Sequence, residues 1–165
     1  MNTTSARNST AGVEPETNIG VDMYPDPVID PAVETLARTI YGEARGERVL
    51  GKEAVAAVVL NRVRRARRHG RYWWGSTIHE VCRRPWQFSC WNASDPNRAK
   101  IEAVDGRNRT FRTCLRVAER ALRGELEDPT DGATHYHAAG VAPPWSRGRR
   151  PSAEIGRHIF YNDIE

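Results

Sequence analysis

No stretch of this sequence approaches the roughly 18–20 consecutive apolar residues that a membrane-crossing helix requires. The longest apolar run, Ala54-Val55-Ala56-Ala57-Val58-Val59-Leu60, is short and flanked by charge. The N-terminus lacks the basic patch and apolar core of a secretory signal, so the chain is expected to stay in the compartment that makes it. Lysine is nearly missing, with only Lys52 and Lys100. Cysteine is scarce and odd in number: Cys82, Cys90 and Cys114 fit neither a metal-finger spacing nor a redox CxxC pair. Buried, reduced thiols are expected, with a Cys82–Cys90 bridge as the alternative. Internal repeats, a phosphate-cradling glycine loop and a nucleophile elbow are all lacking. Membrane spans, zinc fingers, phosphate-loop enzymes and serine-hydrolase logic therefore drop out.

What remains is a chain of 165 residues, enough for one domain with a real core, and its 39% hydrophobic and 28% charged content marks a globular body. Charge is unevenly spread. The first 30 residues hold Arg7 against Glu14, Glu16, Asp22, Asp26 and Asp30, so the other 135 carry +8 of a total of +4. Arginine supplies nearly all of it, and a cationic body suits an anionic partner such as a bacterial wall, nucleic acid or a membrane surface.

Residues 1–29 are rich in Asn, Thr, Glu, Pro and Gly and read as a flexible arm. Residues 30–165 form the domain. Asp30-Pro31 opens a helix, with an acidic cap and proline in the first turn, and Val33, Leu36, Ala37, Ile40 and Ala44 give it one buried face. A second helix is expected over 52–68, apolar on most sides and central to the fold. Thr77 and Glu80 form a capping box for a short helix containing Val81 and Cys82. Residues 85–91 are too aromatic and punctuated for a regular element and read as a structured loop. Asp95-Pro96 opens a helix to about Asp105, and Thr110 caps another that buries Phe111, Cys114, Leu115, Ala118, Ala121 and Leu122 before Gly124. Residues 133–137 and 155–161 alternate like strands and are expected to pair. The fold class is α+β: a mainly helical body with a small antiparallel sheet near the C-terminus.

Glu43 is the carboxylate of most interest. It follows Leu36 by seven residues and Ile40 by three, so it projects along the apolar face of the first helix. Partial loss of water there, and the negative end of the helix dipole, both favour the protonated acid. Such an acid is what a glycosidic bond needs, because the leaving oxygen must receive a proton. An ion pair with Arg45 or Arg62 is the structural alternative. Glu47, one turn on, fits a two-carboxylate glycosidase poorly, since those carboxyls flank the bond, and is expected at a cleft rim.

Trp86, Phe88 and Trp91, with Gln87 and Ser89 between them, offer flat faces for sugar rings and polar groups for hydroxyls; Trp145 is a further candidate. His135 and His137, with His158 as a third donor, are a minority metal reading, and no metal or cofactor is expected. The run Arg62-Val63-Arg64-Arg65-Ala66-Arg67-Arg68-His69-Gly70-Arg71 is the main non-enzymatic signal, for a basic wall-binding or nucleic-acid-binding module. It lacks a complete recognition motif, so nucleic acid is the disfavoured partner.

The string Ala37-Arg38-Thr39-Ile40-Tyr41-Gly42-Glu43-Ala44-Arg45-Gly46-Glu47 resembles the signature of the SleB-type cell wall hydrolases, the spore cortex-lytic enzymes and their relatives in bacteria and phages. The likeness continues from Gly51 to Val63, resumes at Pro85-Trp86-Gln87-Phe88-Ser89-Cys90-Trp91 and at Gly132-Ala133-Thr134-His135-Tyr136-His137, and ends with Pro144-Trp145 and Ile155-Gly156-Arg157-His158-Ile159-Phe160-Tyr161. The resemblance implies a lysozyme-like, lytic transglycosylase-like domain that cleaves the β-1,4 bond between N-acetylmuramic acid and N-acetylglucosamine in peptidoglycan, as a transglycosylase or muramidase. Glu43 falls on the family's catalytic acid/base. Glu47, Gln87, Phe88, Ser89, Thr134, His135, Tyr136 and Trp145 become the expected substrate-binding residues. An N-acetylmuramoyl-L-alanine amidase is the enzymatic alternative. The chain departs from its relatives in the arginine-rich segment 64–71, in Tyr72-Trp73-Trp74 and in the small Ala138-Ala139-Gly140. With no wall-binding domain or export signal recognised, the basic body is expected to supply adhesion to anionic wall polymers. A holin-released phage or prophage endolysin is one expected origin.

Overall fold

The computed structural model describes residues 28–70 and 72–164. The expected arm lies outside the described residues except for Val28 and Ile29, both exposed.

Helix α1, Pro31–Ala44, begins where the sequence says it should. Asp30 caps it by accepting from Ala32 N–H at 2.7 Å, and Pro31 occupies the first turn, where a missing N–H costs nothing. Leu36, Ala37 and Ile40 are fully buried. Helix α2, Val49–Arg68, starts three residues before the expected Lys52. Its first turn is exposed at Val49 and Leu50, so the apolar run marks only its buried middle. Ala54 to Val59 are buried on nearly every side, as an element enclosed by the rest of the fold must be.

Helix α3, Ile78–Arg83, carries both halves of the Thr77–Glu80 capping box. The expected loop 85–91 contains one 3-10 turn, Ser89–Trp91. Helix α4 is only Arg98–Ala103, because Asp95 accepts from Asn97 N–H at 2.7 Å and so holds a turn where the helix was expected to start. Helix α5, Arg109–Leu122, is capped by Asn108, not Thr110: the Asn108 side chain accepts from Phe111 N–H at 3.0 Å. Phe111, Cys114, Val117, Ala118 and Ala121 face the core, while Leu115 and Leu122 are only partly covered. Helix α1 packs on α2, α3, α4 and α5 and is the strut of the body.

The sheet has three strands, β1 His135–Ala138, β2 Ala153–Ile155 and β3 His158–Tyr161, in the antiparallel order β1-β3-β2. The single strand expected over 155–161 is thus a hairpin. Gly156, at φ +58°, supplies the left-handed first position of the two-residue turn between Ile155 and His158. Register decides which side chains share a face. His135 opposes Tyr161 and His137 opposes Ile159; Tyr136 opposes Phe160 and Ala138 opposes His158. Tyr136, Phe160 and His158 therefore share one face, and His135 and His137 the other. The described helices include none long and apolar enough to cross a membrane.

Candidate active site

Glu43 stands half-buried in the last turn of α1, where three separate elements meet. Its Oε2 accepts from Tyr136 Oη of β1 at 2.9 Å, and its Oε1 accepts from Cys90 N–H of the 3-10 turn at 3.3 Å. Gly42 makes this meeting possible. A Cβ there would lie 2.6 Å from both Cβ and Sγ of Cys90, so only glycine lets the 85–92 segment close against α1.

The alternative ion pair does not form. Among the described residues Glu43 has no salt bridge. Arg45 turns to Gly42 O and to Asn97 Oδ1 at 2.7 Å. Arg62 is 4 % exposed; its Nε donates to Thr134 O at 2.7 Å and one terminal nitrogen to Gln87 Oε1 at 3.1 Å. Its guanidinium also lies over the Trp74 and Phe88 rings, 5.4 and 5.1 Å from their centroids. Burial pushes its pKa down to about 10, which still leaves it charged at neutral pH. Arg62 is thus a buried cation that ties the 85–92 segment to the start of β1, with Glu43 among the charges it feels.

Tyr136 is a fixed donor. Burial first, and the charge of Glu43 second, raise its pKa well above the usual phenol value, so its hydroxyl keeps its proton. The thiols are inert. Cys82, Cys90 and Cys114 are free and buried, and desolvation raises each pKa, to about 12 for Cys82 and about 11 for Cys114. The Cys82–Cys90 bridge is not formed.

The other expected site residues divide. Tyr136 bonds Glu43 directly, whereas Gln87 and the backbone carbonyl of the buried Thr134 bond Arg62, and Ser89, next to Cys90 in the chain, is exposed. Phe88 is 1 % exposed, so it shapes the floor under Arg62 and is closed to a ligand. The Glu47 side chain is 7 % exposed and occupied: Arg157 donates to it from Nε at 2.9 Å and from its backbone N–H at 3.3 Å. Arg157 also lowers its pKa. Glu47 therefore anchors the β2–β3 turn to the end of α1 and offers nothing to a sugar. His135 and Trp145 pack together at 5.4 Å between centroids, on the sheet face away from Tyr136. Burial pushes the His135 pKa down to about 4.

The sheet register also corrects the metal reading. His158 lies on the opposite face from His135 and His137, packed edge-on against Tyr136 at 4.9 Å. Among the described residues no three His, Cys, Asp or Glu side chains gather as a metal site. Burial lowers the pKa of His158, and its Nδ1 is the one buried side-chain polar atom without a partner among the described residues.

Sequence reasoning passed over Gly42 and Arg62 as site residues. Arg62 carried a signal: it falls seven residues after Val55 and four after Val58, on the buried face of α2. Gly42 carried none that local pattern reveals, because Cys90 comes from 48 residues further along.

The helical body with its small C-terminal sheet matches the fold of two solved catalytic domains. The catalytic domain of the Bacillus cereus SleB protein aligns at a TM-score of 0.61 with 32% identity, covering 78% of this chain and 88% of that one. The catalytic domain of the germination-specific lytic transglycosylase SleB from Bacillus anthracis aligns at 0.61 with 31% identity, covering 82% and 98%. The spore cortex-lytic enzyme of Halalkalibacterium halodurans is 31% identical over 95% of this chain and 41% of its own length; that of Bacillus cereus is 30% identical over 96% and 56%. The chain thus spans about half the length of these curated relatives. The cell wall hydrolase family model matches residues 46–161, and the chain belongs to that family. Glu43 lies just before the matched stretch.

Proposed function

We propose that this domain cleaves the glycan strands of peptidoglycan at the β-1,4 bond between N-acetylmuramic acid and N-acetylglucosamine, as a lytic transglycosylase with Glu43 as its one acid and base. The observation that carries this reading is the half-buried Glu43 carboxyl, held by Tyr136 and Cys90 and tied up in no ion pair among the described residues. The likeness to a solved lytic transglycosylase domain supports it over the amidase.

In the first step Glu43 gives its proton to the glycosidic oxygen as the C1–O bond breaks, and the N-acetylglucosamine end leaves as an alcohol. Glu43, now carboxylate, takes the proton of the muramic acid's own 6-hydroxyl while that oxygen bonds to C1. A 1,6-anhydro ring closes, the acid is restored, and no second carboxylate is required. That fits a site in which Glu47 is committed to Arg157. Tyr136 and Cys90 N–H fix the carboxyl's orientation through both steps. Attack by water on C1 is the second reading, served by the same acid. The basic body, +8 outside the first 30 residues, gives the domain its hold on anionic wall polymers.

Glu43→Gln tests the assignment, because it keeps the volume and removes the titrating proton. Clearing of purified sacculi in a zymogram is expected to vanish while the far-ultraviolet circular dichroism stays unchanged. Clearing at the wild-type rate would remove Glu43 from the chemistry.

A further inference from the structure

The segment that delivers Cys90 N–H to Glu43 is packed inward at Phe88, Cys90 and Trp91, whereas Trp86 is 79 % exposed. The backbone of Trp86 is strained as well, at φ +68°, a left-handed conformation that bulky residues avoid. Its N–H donates to Asn92 Oδ1 at 3.3 Å, which closes the segment into one loop. An indole held in water on a strained backbone contributes nothing to the core. A ligand that covers the ring accounts for both features.

The ground beside it has a definite chemistry. A groove of about 440 Å³ runs along Trp86 and includes Arg83, Trp91, Asn92, Ser94 and Arg98 in its walls. Arg83 lies 4.0 Å over the Trp91 ring and forms no ion pair among the described residues. Arg98 shares its charge with Glu102 at 2.9 Å. A flat apolar ring next to a guanidinium that has no ion pair among the described residues suits a saccharide with an anionic substituent. The apolar face of a pyranose covers the indole, and a carboxylate meets the guanidinium. A muramic acid unit bearing its stem peptide has both parts.

We propose that Trp86 and Arg83 form an accessory subsite, outside the position where the bond breaks, that binds a muramic acid unit carrying its acidic stem peptide. Trp86 stacks on the sugar and Arg83 pairs with a peptide carboxylate. The groove and Glu43 share one loop, since neighbouring Gln87 is bonded to Arg62 and Cys90 to Glu43. This subsite rests on the peptidoglycan reading above.

The test is calorimetric titration in the Glu43→Gln background, so that bound strands stay intact. Two probes are used: solubilised glycan strands with their stem peptides, and the same strands stripped of peptide. Trp86→Gly is the informative variant, because glycine keeps the left-handed backbone and removes only the ring. It is expected to weaken both probes by about tenfold, the size of one stacking contact, with Trp86→Phe recovering most of the loss. Arg83→Gln is expected to weaken peptide-bearing strands alone. Unchanged binding in Trp86→Gly, or equal losses for both probes in Arg83→Gln, would overturn the subsite. Digestion of sacculi by the wild-type protein, run in parallel, judges the enzymatic reading separately. A protein that binds strands through Trp86 yet releases no fragments would support the groove and overturn the chemistry.

Discussion

Replacing Gly42 with alanine perturbs the site without touching any group that reacts. The new Cβ would sit 2.6 Å from both Cβ and Sγ of Cys90 and 3.2 Å from Cγ2 of Ile101. None of these is the free end of a flexible side chain, so the 3-10 turn at Cys90 must move off α1. Overpacking of this kind costs about 1–3 kcal/mol. Alanine returns up to about 1 kcal/mol of helix propensity in the last turn of α1. The net loss is therefore about 0–2 kcal/mol, or a Tm lower by up to about 8 °C for a domain of this size. Activity should fall further than stability does, because the same shift withdraws Cys90 N–H from Glu43 Oε1. Cys90→Gly removes both clashing atoms and leaves the N–H, so the double variant should recover part of both losses. Thermal unfolding and sacculus turbidity across the four proteins form a double-mutant cycle. Additive effects, or a Gly42→Ala protein as stable and active as the wild type, would refute the close approach.

Arg62→Lys keeps the charge but loses the fork that joins Thr134 O to Gln87; stability should drop by about 2–3 kcal/mol in denaturant titration, with turnover reduced as the 85–92 segment separates from the start of β1. His135 and His158 both have depressed pKa values in the fold. Below the ordinary histidine range the unfolded chain takes up protons that the folded one refuses, so stability should fall as pH drops from about 6.5 toward the His135 value of about 4. His135→Gln should flatten the plot of Tm against pH. Glu47 adds a loss at lower pH: its folded pKa is depressed by Arg157, so its contribution is whole above the ordinary glutamate pKa and disappears as pH falls through the folded value. Glu47→Gln and wild type should then converge in Tm at strongly acid pH. All three thiols should resist iodoacetamide in the folded protein and react together in denaturant, as read by mass spectrometry.

Much of the helical body is legible in the sequence because its signals are local. Asp30-Pro31 and the Thr77–Glu80 box mark helix starts through bonds within one turn. The errors arise where two local signals compete. Asn108 and Thr110 are both good caps, and the one that reaches Phe111 N–H won. Alternation from Ile155 to Tyr161 suggested one strand, but Gly156 turns it back on itself. At the site, helical spacing made the half-buried place of Glu43 on α1 legible, and the resemblance of the Gly-Glu-Ala-Arg-Gly-Glu string points to the same residue for the role proposed above. Local pattern could not sort the aromatic cluster, in which Phe88 and Trp91 go inward and Trp86 outward, because burial depends on partners distant in sequence. The closure of Glu47 by Arg157, across 110 residues, was hidden for the same reason.

Mass spectrometry of the soluble fragments released from purified sacculi tests the central claim most directly. Glycan cleavage by one acid, with the sugar's own hydroxyl as nucleophile, predicts fragments ending in 1,6-anhydro-N-acetylmuramic acid and none from the Glu43→Gln protein. Free stem peptides alongside uncut glycan strands would contradict it.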